Sequence, residues 1–99
     1  MKNFQITATA TGTIPILPVT FWNSPVKPSV PFQWMIVYNR GSNPMNFGGD
    51  PATVTVTQGI PVPIQGYLTF GPGIPGSQNL NDWYVYIVSG DKLDVAYQE

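Results

Sequence analysis

Proline and glycine punctuate this chain so regularly that few windows could hold three turns of helix: 11 Pro and 10 Gly fall among 99 residues. The longest clear intervals, residues 1 to 11, 32 to 40 and 77 to 89, each read better as strands. In FQITATAT (4 to 11), Phe4, Ile6, Ala8 and Ala10 share one face while Gln and Thr occupy the other, the period of a half-buried strand. The same alternation is sharpest in ATVTVTQ (52 to 58), which predicts a strand with Val54 and Val56 opposite Thr53, Thr55 and Thr57.

FQWMIVYN (32 to 39) and WYVYIVS (83 to 89) are apolar on both faces, as expected of central strands covered on each side or meeting another chain. Trp34 and Trp83 are expected in the core, with Val85 and Ile87 beside Trp83, and Tyr84 and Tyr86 facing the other way. KLDVAYQ (92 to 98) follows across Ser89-Gly90-Asp91, which reads as a hairpin turn. TIPILPVT (13 to 20), broken by Pro15 and Pro18, reads as a sheet edge, and GYLTF (66 to 70) and Met45 to Phe47 as short strands. Seven to eight short strands make an all-β fold, a single small β-sandwich or jelly-roll-like domain over residues 1–99. Residues 1–11 and 21–31 are expected to be extended arm or edge segments.

Charged side chains amount to 9%, against about 25% in ordinary soluble domains. With a net charge of -1 such a surface repels its own copies weakly, so assembly is the first functional expectation. Four well-separated basic residues offer no phosphate-binding patch, so nucleic acid is not an expected partner. The longest apolar runs are far shorter than the roughly 20 residues of a membrane-spanning helix, and the N-terminus alternates where a secretory signal would be continuously apolar.

Without His or Cys, zinc sites and most acid–base or nucleophilic catalysis lose their usual residues, and neither an enzyme nor a cofactor is expected. Asp91 and Asp94 flank the 89 to 91 turn and would allow a carboxylate pair or weak calcium site, though surface turn residues explain them more simply. The glycines at 71, 73 and 76 precede no helix, and Pro72 and Pro75 lack donors a phosphate would need. Three Trp and five Tyr supply either a sugar-stacking platform or core and interface anchors. Ile60-Pro61-Val62-Pro63-Ile64 reads as a proline-guarded edge or as an extended arm laid on a partner. The residues expected at a partner interface are Phe21, Trp22, Pro25, Val30, Ile60, Val62, Tyr84 and Tyr86.

The succession MIVYN (35 to 39), RGSNP (40 to 44), VTVTQG (54 to 59), IPVPIQG (60 to 66) and DWYVYIVSGDKLDVAY (82 to 97) resembles the small all-β virion proteins of tailed bacteriophages, especially head decoration or cement proteins. The resemblance covers residues 32 to 97. It implies a jelly-roll-like domain, often trimeric, bound to the outside of a capsid and bridging copies of the major capsid protein, with assembly in the host cytoplasm. Other expectations are a tail, baseplate or head-fibre module, or a carbohydrate-binding β-sandwich.

Overall fold

In the computed structural model, residues 1–17, 29–72 and 78–99 are described. They contain eight strands: β1 (Lys2–Thr7), β2 (Gly12–Pro15), β3 (Trp34–Asn39), β4 (Met45–Gly48), β5 (Ile60–Val62), β6 (Tyr67–Phe70), β7 (Tyr84–Ile87) and β8 (Lys92–Gln98). A 3-10 turn, Leu80–Asp82, precedes β7. The strands form two antiparallel four-stranded sheets, ordered β1-β8-β3-β6 and β2-β7-β4-β5.

One operation generates this order. β1 pairs with β8, β2 with β7, β3 with β6 and β4 with β5, as in one long antiparallel ribbon whose tip is the β4–β5 connection. Rolling the ribbon brings β3 beside β8 and β4 beside β7, which closes the two sheets over a shared core. This is the winding of a jelly roll. It corrects the reading of Ser89-Gly90-Asp91 as a hairpin turn, because β7 and β8 belong to different sheets and the turn is a corner between them. Gly90 takes φ 88° there, and its N–H donates to the Ala8 carbonyl at 2.8 Å.

Strand alternation places the core. Ile6, Met35, Val37, Leu93 and Val95 point inward from the first sheet, and Met45, Phe47, Val62, Val85 and Ile87 from the second. Trp83 is buried as expected, stacked on Phe47 at 5.2 Å and packed against Phe70 of the opposite sheet at 5.1 Å, so aromatic contact spans both layers. Trp34 is not in the core: Met35 and Val37 take the inward positions of β3, and Trp34 is 45% exposed on the outer face.

Residues 52 to 58 are not a strand. The Thr53 N–H donates to Asp50 O, Thr55 and Gln58 exchange backbone bonds, and the Asp50 and Thr55 side chains accept from the N–H groups of Ala52, Thr57 and Gln58. Local side-chain acceptors thus satisfy the backbone in consecutive turns where a ladder would need a neighbour. Of the two expected arms, β1 is a paired edge strand. Segment 29–31 is tied by the Leu80 N–H to the Val30 carbonyl and by a bridge from Pro31 to Asn79, and residues 21 to 28 lie outside the described residues.

Candidate interaction face

The two sheets treat their outer faces differently. On the second sheet, register aligns Thr13, Tyr86, Asn46 and Pro61 in one row and Pro15, Tyr84 and Gly48 in the next. The ribbon tip folds back over this surface. The Thr13 hydroxyl donates to the Val54 carbonyl, and Asn46 Nδ2 donates to the carbonyls of Thr55 at 2.9 Å and Val56 at 3.1 Å. Val54 is buried beneath the tip, close enough to Gly48 that an added Cβ there would lie 2.8 Å from Val54 Cγ2. Gly48 therefore provides the space in which Val54 sits.

On the first sheet, no described element lies across the outer face. Its rows run Asn3, Ala96, Ile36, Thr69 and Gln5, Asp94, Tyr38, Tyr67, with Trp34 and Gln98 beyond them. Trp34 packs over the bare backbone of Gly71, where a Cβ would come within 3.0 Å of the ring. Tyr67 is 64% exposed. An open groove of about 560 Å³ runs between β1, β8 and β3, lined by Asn3, Gln5, Ile36, Tyr38, Arg40 and Asp94 among others.

A chain of polar contacts orders one end of this groove. Gln5 Nε2 donates to Asp94 Oδ1 at 2.7 Å, Arg40 Nε pairs with Asp94 Oδ2, and the Arg40 guanidinium lies 4.9 Å from the centre of the Tyr38 ring. The Asp94 hydrogen bond and charge push the Arg40 pKa up. Both Asp94 oxygens are engaged, while Asp91 is buried and accepts from the Ser42 N–H and from Asn43 Nδ2, each at 3.1 Å. The two carboxylates therefore serve separate partners, and Asp91 is a structural residue of the core margin, not a surface turn residue. What the face offers is flat ring surface flanked by amide and hydroxyl groups, a chemistry of adhesion.

The residues expected at an interface scatter. Val62 is fully buried, because its parity on β5 turns it into the core opposite Met45, so it cannot meet a partner. Val30 is half-buried and packs against the core. Ile60 is exposed at the β5 edge, while Tyr84 and Tyr86 are half-buried in the rows over which the ribbon tip folds. Phe21, Trp22 and Pro25 lie outside the described residues. Trp34, Ile36, Tyr38 and Tyr67 form the bare face instead. Its signal was present in FQWMIVYN, where Met35, Val37 and Asn39 on one parity leave Trp34, Ile36 and Tyr38 on the other. No family model, curated protein or solved structure matches the chain.

Proposed function

We propose that this chain is a non-enzymatic structural protein of a virion, a capsid decoration protein that lays the outer face of its first sheet on the major capsid protein. The observation that carries this reading is the asymmetry of the sandwich among the described residues: the chain's own ribbon tip folds over one outer face, and the other presents exposed Trp34 and Tyr67 with half-buried Ile36 and Tyr38 between them. Jelly rolls occur in viral capsid and lectin domains alike, so the argument rests on the face and not on the fold.

Magnitudes favour a multivalent role. Four strands about 4.8 Å apart, with about six residues each at 3.4 Å, make a face on the order of 400 Å². A standard interface buries about 800 Å² per partner, so one such face holds weakly and a lattice of copies holds well. Few charges take part, and rebinding to capsids should change little between about 50 and 500 mM salt.

The test separates heads from tails of virions that contain the chain and identifies the proteins of each by mass spectrometry. The chain should travel with heads, and the Trp34→Ala, Tyr67→Ala double variant should fail to rebind stripped heads while keeping the wild-type unfolding midpoint. Recovery with tails alone, or absence from particles, would overturn the reading. A second reading, carbohydrate binding, is favoured by the same rings beside the Asn3 and Gln5 amides. Glycan-array binding lost on Trp34→Ala without loss of folding would select it over capsid attachment.

A further inference from the structure

Each sheet of an open sandwich has two edges, and edges are where strands recruit further strands. Three of the four edges here are guarded. β2 carries Pro15, β5 carries Pro61, and β6 has only four residues before Gly71-Pro72. β1 is the exception, with six residues, no proline, and Lys2 as its single charge.

The direction of its backbone groups can be read from one residue. The Ala8 N–H donates to Asp91 O at 3.0 Å, and the Ala8 carbonyl accepts from the Gly90 N–H at 2.8 Å, so both groups of Ala8 face the β8 side. Backbone groups alternate along a strand. Ile6, Phe4 and Lys2 therefore bond toward β8, and Asn3, Gln5 and Thr7 turn their N–H and C=O groups to the open edge. The opposite ladder agrees: Lys92, the partner of Thr7, gives its carbonyl to the Arg40 N–H on the β3 side. Among the described residues no backbone group pairs with those of Asn3, Gln5 or Thr7.

We propose that β1 pairs with β1 of a second copy of this chain, antiparallel about a two-fold axis at Gln5, so that two sandwiches share one continuous eight-stranded sheet. Only antiparallel registers that match parity keep both outer faces on one side. With Gln5 opposite its own counterpart, Asn3 meets Thr7 of the second copy and Thr7 meets its Asn3, and every outward N–H finds an outward carbonyl. Neighbouring registers leave one end of each strand unmatched. Charge agrees with the arrangement, since Lys2 falls opposite Ala8 of the second copy and is already paired with Glu99 of its own chain at 2.9 Å. Polar amides and hydroxyls, Asn3 with Thr7 and Gln5 with Gln5, line the outer side of the seam.

The pairing stands on the edge alone and does not depend on what the aromatic face binds. Its consequence reaches that face, because the two-fold axis runs perpendicular to the sheet and sets two bare faces side by side. The combined surface, on the order of 800 Å², matches one side of a standard interface. Isologous pairing closes at two copies, so this edge yields even-numbered assemblies and does not generate a trimer.

Three variants of the full chain test the proposal. Gln5→Pro removes an N–H that the β1–β8 ladder does not use, and proline is tolerated on edge strands where the N–H faces outward. Gln5→Ala loses the same side-chain bond to Asp94 but keeps that N–H. In sedimentation equilibrium the wild-type chain and Gln5→Ala should form dimers, and Gln5→Pro should associate roughly tenfold or more weakly, having lost both bonds at the axis. Because the chain has no cysteine, Gln5→Cys places a single thiol opposite itself, where strand geometry sets the Cα atoms about 5.5 Å apart, within disulfide reach. Mild oxidation should crosslink Gln5→Cys far faster than Thr69→Cys on the other edge. Should Gln5→Pro fail to fold, the crosslinking comparison decides alone. A wild-type chain that stays monomeric at several hundred micromolar, a Gln5→Pro dimer as tight as wild type, or equal crosslinking at positions 5 and 69 would each overturn the proposal.

Discussion

Removing the Asn39 side chain should cost this fold more than removing any surface ion pair, and the cost can be worked from its contacts. Asn39 ends β3 pointing inward and is fully buried. Its Nδ2 donates to Asn43 O at 2.9 Å and Val62 O at 3.0 Å, and its Oδ1 accepts from the Gly41 N–H at 2.7 Å. One amide therefore fastens the 40–44 turn to β5 across the end of the sandwich. Each such bond contributes about 1 kcal/mol net, and Asn39→Ala forfeits all three and leaves a void in a fully buried site, so the loss is about 3–4 kcal/mol. Against a total of about 5–15 kcal/mol for a chain of this size, the unfolding midpoint should fall by roughly 15–25 °C. Asn39→Asp adds a signature that packing alone cannot mimic. A carboxyl there faces two carbonyl oxygens in a buried site, which raises its folded pKa above the unfolded value of about 3.9. A raised folded pKa means the native state holds the proton longer than the unfolded state, so stability falls as pH rises from about 4 through the folded value. The deficit of Asn39→Asp relative to wild type should therefore be smaller near pH 4 than near pH 7 in urea unfolding followed by circular dichroism. A cost for Asn39→Ala below about 1 kcal/mol, or a pH-independent deficit for Asn39→Asp, would refute the assignment of Asn39 as the clasp.

Two further predictions concern the same end of the sandwich and the termini. A Cβ at Gly41 would lie 2.5 Å from Asp91 Cγ and 2.6 Å from Asp91 Cβ, so Gly41→Ala should destabilise by about 1–3 kcal/mol in urea unfolding, and the Gly41→Ala, Asp91→Gly pair should cost less than the sum of the two singles because only loss of the whole Asp91 side chain, Cβ included, clears the obstruction. The Lys2–Glu99 pair is solvent-exposed, and its hydrogen bond raises the Lys2 pKa; any contribution is present below the ordinary 10.5 and lost only as pH climbs through the raised value, so the thermal-stability deficit of Lys2→Gln should be small and the same at every pH from about 6 to 9.

The inward positions were legible because alternation survives where one face meets a core: Leu93, Val95 and Tyr97, and likewise Trp83, Val85 and Ile87, fall where period two puts them. The same rule misled at Thr53 to Thr57, since alternating Val and Thr says nothing about whether Asp50 and Thr55 will satisfy the backbone locally first. It was also silent on β3, where Trp34, Ile36 and Tyr38 are as apolar as the inward residues and only Asn39, a buried hydrogen-bonding residue at a strand end, gives the parity away. Turn chemistry at Ser89-Gly90-Asp91 identified a reversal correctly but not its partners, because whether two strands pair or change sheets depends on Ala8, which binds the corner from more than 80 residues earlier. Val62 was misplaced for a related reason. The proline-guarded edge was one of the two readings of this segment and the one the structure bears out, but nothing in the alternation of Pro with branched residues showed that Val62 fills the core while Ile60 stays exposed.

The unequal fate of the two outer faces follows from the ribbon itself. Rolling eight strands into two sheets leaves two outward surfaces, and the ribbon has one tip, the β4–β5 connection, so it can fold back on only the sheet from which it springs. Gly48 makes room for Val54, and Asn46 and Thr13 hold the returning backbone, so the second sheet is capped from within the chain. The first sheet has no such tip among the described residues. Had its outer side carried the usual charged residues, exposure would need no explanation, since scattered ion pairs keep a sheet face in water at little cost. Instead Arg40 and Asp94 neutralise each other at one end, and Trp34 and Tyr67 occupy positions where solvent is the poorer neighbour. A surface of that kind gains free energy when another surface displaces the water, and any lattice that repeats such a contact, as the proposed capsid attachment would, turns a modest gain per copy into stable binding.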